Sequence, residues 1–122
     1  MFHTNMIKFD QTAYFSSKDD IGLGDTGFIY VPTGCQDNPD DCRVHMCFHG
    51  CVANVDLAGE YFLRYNGINE WAEANDIVVI YPQTNSKSIS LLQEKGCWDY
   101  FGFYGQDYAL KSGGQMADCS CL

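Results

Sequence analysis

The stretch "RVHMCFHGC", residues 43–51, decides the fold of this chain. Alternate positions carry apolar side chains, among them the β-favouring Val44 and Phe48, and the run stops at Gly50. This alternation predicts a β-strand with both faces covered. Because side chains at every second position of a strand share a face, the strand would align the other residues of the stretch, which are His45, Cys47, His49 and Cys51.

A helix and a second strand are predicted after this stretch. The segment "YFLRYNGINEWAEAND", residues 61–76, has helical spacing, and "IVVIYPQ", residues 77–83, is an apolar run bounded by a proline. An earlier strand is predicted from "GFIYVP", residues 27–32. Apolar strands joined by a helix are typical of a parallel sheet with flanking helices, so we predict an α/β fold. The apolar positions of the helix are Ile68, Trp71 and Ala72.

The remaining segments are predicted to be mainly loops. Residues 16–26 are polar and contain glycine, and residues 84–106 hold an aromatic cluster that we expect to form a wall. The last segment, 107–122, begins with a helix cap at Asp107 but offers no final strand, so the α/β pattern is incomplete. The aromatic cluster consists of Trp98, Tyr100, Phe101, Phe103 and Tyr104.

Charge and composition exclude several classes of partner. The 122 residues include 16 Asp and Glu against 7 Lys and Arg, which gives a formal net charge of −9. Such a chain has no basic face for phosphates, so nucleic acid and anionic membrane surfaces are poor partners. No apolar run approaches the roughly 20 residues that span a bilayer. A 46% hydrophobic composition indicates a globular domain rather than a disordered chain.

The cysteines indicate an oxidising compartment. Seven cysteines in 122 residues is a high content, typical of secreted proteins. The first residues lack the basic and apolar regions of a secretory signal, so we expect a piece of a larger secreted, extracellular protein. Cys35 and Cys42 flank turn-forming residues at 38–40, which should bring their sulfurs together. The odd number leaves one thiol free or paired between chains.

The array of His and Cys side chains in residues 45–51 has three interpretations. Zinc is disfavoured because four ligands spread over about 20 Å of one strand cannot reach one ion, and a second pair would have to come from Cys119 and Cys121. His45 and Cys47 are expected to be buried strand residues. The tripeptide 49–51 follows the carboxyl end of a strand, where open α/β sheets hold their sites. A His-Gly pair there is typical of an oxyanion loop.

Four longer motifs carry a family resemblance. "GFIYVPTGCQDNPDDCRVHMCFHGC", "YNGINEWAEANDIVVIYPQ", "GCWDYFGFYG" and "SGGQMA" occur in order between Gly27 and Ala117. In order and spacing they resemble the polyhydroxybutyrate depolymerase family of α/β-hydrolase esterases, which has feruloyl-esterase-like relatives. The resemblance implies a partial, incomplete α/β-hydrolase. Residues 1–26 would be a leading strand and loop, and residues 27–122 the oxyanion-loop and substrate-wall half of the domain.

The resemblance also implies roles for individual residues. The backbone N–H of Cys51 would be one donor of the oxyanion hole, and Cys51 would pair with Cys97 beside the substrate crevice. Trp98 would bind a polyester or small ester substrate, with core packing as the alternative, and Tyr100 would belong to the same wall. Cys35 and Cys42 would form a small loop disulfide. No cofactor or metal is implied.

The catalytic triad of the family has no counterpart in this sequence. No G-x-S-x-G motif is present, and Ser112 in "LKSGG" is interpreted as a helix-start residue. In circularly permuted members the triad-bearing segment comes first, whereas in unpermuted members it follows. We therefore expect this chain alone to be inactive and to need the missing half of its domain. The alternatives are a non-catalytic ester- or aromatic-binding module and a small disulfide-rich structural domain.

Overall fold

The computed structural model describes residues 5–15, 21–86 and 94–122 and contains a four-stranded mixed sheet with helices. The strands lie in the order β1-β2-β4-β3. Their bounds are Met6–Asp10 for β1, Thr26–Tyr30 for β2, Arg43–Met46 for β3 and Ile77–Tyr81 for β4. The leading strand expected within 1–26 is β1, whereas the predicted loop at 16–26 and the loop at 84–106 lie partly outside the described residues.

The prediction of a parallel sheet is only half right. Strands β3 and β4 are parallel, with Val44 opposite Val78, which confirms the predicted strand-helix-strand unit. Strand β2 pairs antiparallel with both β1 and β4. The chain turns back directly after β1: the described residues form a 3-10 helix, Gln11–Tyr14, and the N–H of Gln11 donates to the carbonyl of Asp25, which immediately precedes β2.

The helices are shorter than the sequence predicts. They are α1 (Thr33–Asp37), α2 (Val55–Ala58), α3 (Tyr61–Tyr65), α4 (Ile68–Asn75) and α5 (Gly114–Cys119). The single helix expected over 61–76 is split into α3 and α4 because Gly67 has a left-handed backbone with φ of 82°. The segment from 107 does not start a helix either, since Asp107 precedes a series of turns and α5 begins at Gly114. None of the described helices is long and apolar enough to cross a membrane.

The core lies between one sheet face and the helices. It is built from aromatic and aliphatic side chains of β2, β4 and α3 together with the buried Cys47: Phe28, Tyr30, Leu63, Val79 and Tyr81. Cys47 was expected there. Helical spacing predicts Trp71 on the apolar face of the helix together with Ala72. In the structure Trp71 is 75% exposed, because only the side of α4 that carries Ala72 packs on the core.

Strand β3 is an exposed edge strand, so the prediction that both its faces are covered is wrong. Val44 is 63% exposed, and His45, expected to be buried, is exposed as well. The alternation in the sequence reports which side chains share a face, but not whether another layer covers that face. Among the described strands, β3 pairs only with β4, which leaves its other edge open.

Candidate active site

His49 lies just past the carboxyl end of β3 and is almost fully buried, at 3% exposure. Its Nδ1 is 2.8 Å from the carbonyl oxygen of Gly50, and its Nε2 accepts a hydrogen bond from the backbone N–H of Thr84 at 3.3 Å. Burial lowers the pKa of His49, and the hydrogen bond to the Gly50 carbonyl partly offsets this effect. Since both ring nitrogens have partners, the side chain is not available as a catalytic base.

The loop that follows His49 presents unpaired backbone donors. In the part of the chain that the structure describes, the N–H groups of Gly50 and Cys51 have no acceptor. The space next to Gly50 is open, since a Cβ built there would meet no atom within 4 Å. Val52 then takes a left-handed backbone with φ of 65°, which is strained for a β-branched residue. Two adjacent free donors on an accessible, strained loop can bind an oxygen atom that carries negative charge.

Each residue of the motif "GCWD" has a defined contact beside this loop. Gly96 has φ of 64°, and a Cβ there would overlap the buried Asn54 side chain. Cys97 forms a disulfide with Cys51. The indole N–H of Trp98 donates to the carbonyl oxygen of His49 at 2.9 Å, and the two rings lie 5.1 Å apart. The motif therefore fixes the position of the 49–51 loop from the opposite side.

Asp99 organises the aromatic segment. Its carboxylate accepts four backbone N–H bonds, at 3.2 Å from Phe101, 2.8 Å from Gly102, 2.9 Å from Phe103 and 2.8 Å from Tyr104. Although burial raises the pKa of Asp99, these four hydrogen bonds hold it below its ordinary value. The aromatic side chains of this turn contact one another but stay largely at the surface, with Tyr100 61% exposed.

A small crevice of about 200 Å³ adjoins the loop. Its apolar wall includes Phe48 and Trp98, whose rings meet edge to face at 5.2 Å. Tyr100 does not line this crevice. Burial raises the pKa of the Cys119 thiol in the same crevice to about 12, so this cysteine is a poor nucleophile. The remaining lining residues are Asp99, Tyr108, Gln115 and Met116.

The structure contains the two disulfides that the resemblance implies. Cys35 pairs with Cys42 on a short loop, and Cys51 pairs with Cys97. The free cysteines are Cys47, Cys119 and Cys121. No group of three or more His, Cys, Asp or Glu side chains within residues 5–15, 21–86 and 94–122 is arranged to hold a metal ion.

Ser112 is exposed in a turn two residues before α5, whose N-cap is Gly113. Sequence reasoning missed two buried residues that support the loop from a distance, Thr84 and Asn54. Thr84 contacts His49 and also donates through its hydroxyl to the carbonyl of Gly96 at 2.7 Å. Asn54 donates to the carbonyl of Thr84 at 3.2 Å. The only local signal was the polar run after "IVVIYP", which reads as an ordinary loop.

These features define a mixed α/β domain in which a loop with two unpaired backbone N–H groups follows the carboxyl end of β3, next to an aromatic crevice. The chain is 36% identical over 114 residues to the poly(3-hydroxybutyrate) depolymerase of Delftia acidovorans. It is 30% identical over 123 residues to the polyhydroxybutyrate depolymerase of Talaromyces funiculosus, and 93% of the chain takes part in each match. The chain is thus related to polyhydroxybutyrate depolymerases and matches a part of them.

Solved structures agree with this relationship. The crystal structure of PHB depolymerase from Penicillium funiculosum superposes with a TM-score of 0.80 at 30% identity, over 93% of this chain. A PHB depolymerase complexed with an R3HB trimer gives a TM-score of 0.81. The chain spans only 22% and 35% of the two curated relatives and 37% of the solved chains. No family model matches the chain.

Proposed function

We propose that this chain is the oxyanion-loop and substrate-wall part of a serine ester hydrolase with an α/β-hydrolase fold, acting on polyhydroxybutyrate or a related ester. The observation that carries the proposal is the free N–H of Cys51, held next to the aromatic crevice by the bond to Cys97 and by Trp98. The relatives named above are depolymerases of this polyester. The disulfides support an extracellular location.

The loop and crevice supply binding and charge stabilisation. In this proposal the ester lies against Trp98 and Phe48, and the Cys51 N–H donates to the carbonyl oxygen as negative charge develops there. One such donor contributes roughly 100- to 1000-fold in rate in a complete site. The nucleophile and its base come from a triad-bearing segment, since Ser112 lies in an exposed turn and His49 has both nitrogens engaged.

The open edge of β3 is the place where the triad-bearing segment would dock. The backbone N–H groups of Arg43 and Cys47 donate to Asp76 and Ile80, so Val44 and Met46 direct their backbone groups away from β4. A strand added there would end beside the 49–51 loop, about 5 Å away sideways. A strand added to the outer edge of β1 would lie four strand spacings from β3, roughly 19 Å, which is too far for its nucleophile to share a carbonyl with Cys51.

The proposal is tested with a fusion enzyme, in which the 122-residue chain is joined to the triad-bearing segment of a polyhydroxybutyrate depolymerase. We expect the chain alone to show no hydrolysis of a short-chain nitrophenyl ester or of 3-hydroxybutyrate oligomers, and the fusion enzyme to hydrolyse both. Hydrolysis by the chain alone that Ser112→Ala abolishes would place the nucleophile inside this chain. A fusion enzyme that is folded but inert would contradict the proposal.

The docking edge has its own matched test. Val44→Pro removes a backbone N–H that makes no hydrogen bond to β4. Lys8→Pro makes the same change on the outer edge of β1. In the register of β1 and β2 the backbone of Asn5 bonds to β2, whereas the N–H of Lys8 points away from it. We expect Val44→Pro to abolish assembly and turnover of the fusion enzyme and Lys8→Pro to leave them largely intact. Equal effects of the two substitutions would mean that the triad-bearing segment does not dock on the edge of β3.

A second candidate function rests on the exposed aromatic turn at 100–103. If the chain is an ester- or aromatic-binding module without catalysis, it should bind 3-hydroxybutyrate oligomers by itself. Calorimetry of the 122-residue chain with such oligomers separates the two candidates. Binding without hydrolysis by any fusion enzyme would favour the module.

A further inference from the structure

The buried His49 is the one polar side chain of the site that the proposed function leaves without a task. A buried imidazole is costly unless its nitrogens are satisfied, and an apolar residue would fill the same space without that cost. Here every polar contact of the ring goes to the loop or to its support. The question is therefore what this imidazole does for the free N–H groups beside it.

We infer that His49 is a positioning residue of the oxyanion hole: its imidazole holds the Gly50 carbonyl so that the N–H of Cys51 is directed outward. This inference rests on the proposed function. The carbonyl of Gly50 and the N–H of Cys51 belong to one peptide plane and point in opposite directions. Because the carbonyl is bound 2.8 Å from an almost fully buried ring, the N–H faces away from the interior.

The tautomer of His49 follows from its two backbone partners. A carbonyl oxygen can only accept, so Nδ1 carries the proton and donates to Gly50. The Thr84 N–H can only donate, so Nε2 is unprotonated and accepts. The Thr84 hydroxyl already donates to the carbonyl of Gly96 and does not compete for the Nε2 lone pair. The neutral Nδ1–H form is the only one that satisfies both backbone groups.

Trp98 and Ala53 also hold the ring and the peptide in place. Trp98 donates to the carbonyl of His49 and lies against its ring. Thr84, which donates to the ring, is itself 2% exposed. The N–H of Ala53 also donates to the Gly50 carbonyl, at 3.2 Å. Val52, which precedes Ala53, has a strained left-handed backbone, and this strain accompanies the observed orientation of the peptide between Gly50 and Cys51. No charged side chain among the described residues hydrogen-bonds to the ring.

The test compares three variants of the fusion enzyme. His49→Phe fills the cavity but removes the donor to Gly50, and we expect kcat to fall about 100-fold with less than about a threefold change in KM. His49→Asn places an amide N–H near the position of Nδ1 and should recover at least about tenfold of that loss. Tyr81→Phe is the control, because it removes a buried hydroxyl that donates to Asn69, outside the site. It should lower thermal stability and leave kcat unchanged.

Hydrogen exchange of the 49–53 segment gives a readout that does not depend on turnover. We expect His49→Phe to speed exchange of this segment at least tenfold and Tyr81→Phe to leave it unchanged. An active fusion enzyme whose His49→Phe form keeps its kcat, or loses it with no recovery in His49→Asn, would overturn the inference while the proposed function stands. If the unsubstituted fusion enzyme is inert, the proposed function fails, and unchanged exchange in His49→Phe would then overturn the inference separately.

Discussion

The substitution Gly96→Ala should be among the most damaging single changes in the chain. Gly96 has a left-handed backbone with φ of 64°, which costs an alanine about 1 to 2 kcal/mol. Its Cβ would also overlap the side chain of Asn54, which is fully buried. That side chain donates to the hydroxyl of Ser86 at 2.8 Å and accepts from Leu57 as the cap of α2.

The magnitude follows from these two contributions. Displacing a buried, hydrogen-bonded amide costs about 1 to 3 kcal/mol, so Gly96→Ala should lower the free energy of unfolding by about 2 to 5 kcal/mol in all. Gly67→Ala is the matched control. Gly67 also has a left-handed backbone, with φ of 82°, but its Cβ would meet no atom within 4 Å, so only the backbone cost of about 1 to 2 kcal/mol applies.

Urea unfolding of the fusion enzyme, monitored by tryptophan fluorescence, gives the free energy of unfolding of both variants under the same conditions. We expect Gly96→Ala to lose about 1 to 3 kcal/mol more of its unfolding free energy than Gly67→Ala, which is the part contributed by the buried amide. Equal losses in the two variants would refute the reasoning, because they would show that the Asn54 contact has no energetic role. The 49–51 loop should move as well, since Asn54 donates a hydrogen bond to Thr84, which contacts His49.

Three further predictions follow from the same structure. Removing the Cys51–Cys97 disulfide, which spans 46 residues, should cost about 4 kcal/mol by chain entropy against about 2.5 for the disulfide spanning 7, and equal losses in thermal unfolding would argue against that model. Trp98→Ala should lower the turnover of the fusion enzyme and leave its far-ultraviolet circular dichroism unchanged. Loss of the folded spectrum would instead mean that the indole ring is part of the hydrophobic core. Hydrogen bonds from the hydroxyl of Tyr30 and from Thr33 lower the pKa of Glu73. The ionised carboxylate therefore stabilises the fold at pH values above its ordinary pKa of 4.5, and this stabilisation is lost as the pH falls through the lowered pKa. Glu73→Gln should therefore flatten the dependence of unfolding free energy on pH in that acidic range, and an unchanged slope would contradict this.

The sequence alone determined the features that depend on neighbouring residues. Alternation in residues 43–51 and the apolar run at 77–80 predicted β3 and β4 with a helix between them, because these patterns depend only on neighbouring residues. The turn at 38–40 predicted that Cys35 and Cys42 approach each other. The position of the 49–51 loop, just after a strand, was also local information. The pairing of Cys51 with Cys97 and the role of Trp98 came from the family resemblance.

The tertiary structure decided what depends on residues far apart in the chain. Alternation could not tell that Val44 and His45 lie on an open edge, because exposure depends on whether another layer covers the strand. It could not tell that β2 runs antiparallel to β4, because strand direction depends on the path of the connections. Nor could it show that both nitrogens of His49 are engaged, since Thr84 stands 35 residues away in sequence. Hydrogen-bond partners of a buried side chain are set by the packing of distant segments, and no local pattern records that packing.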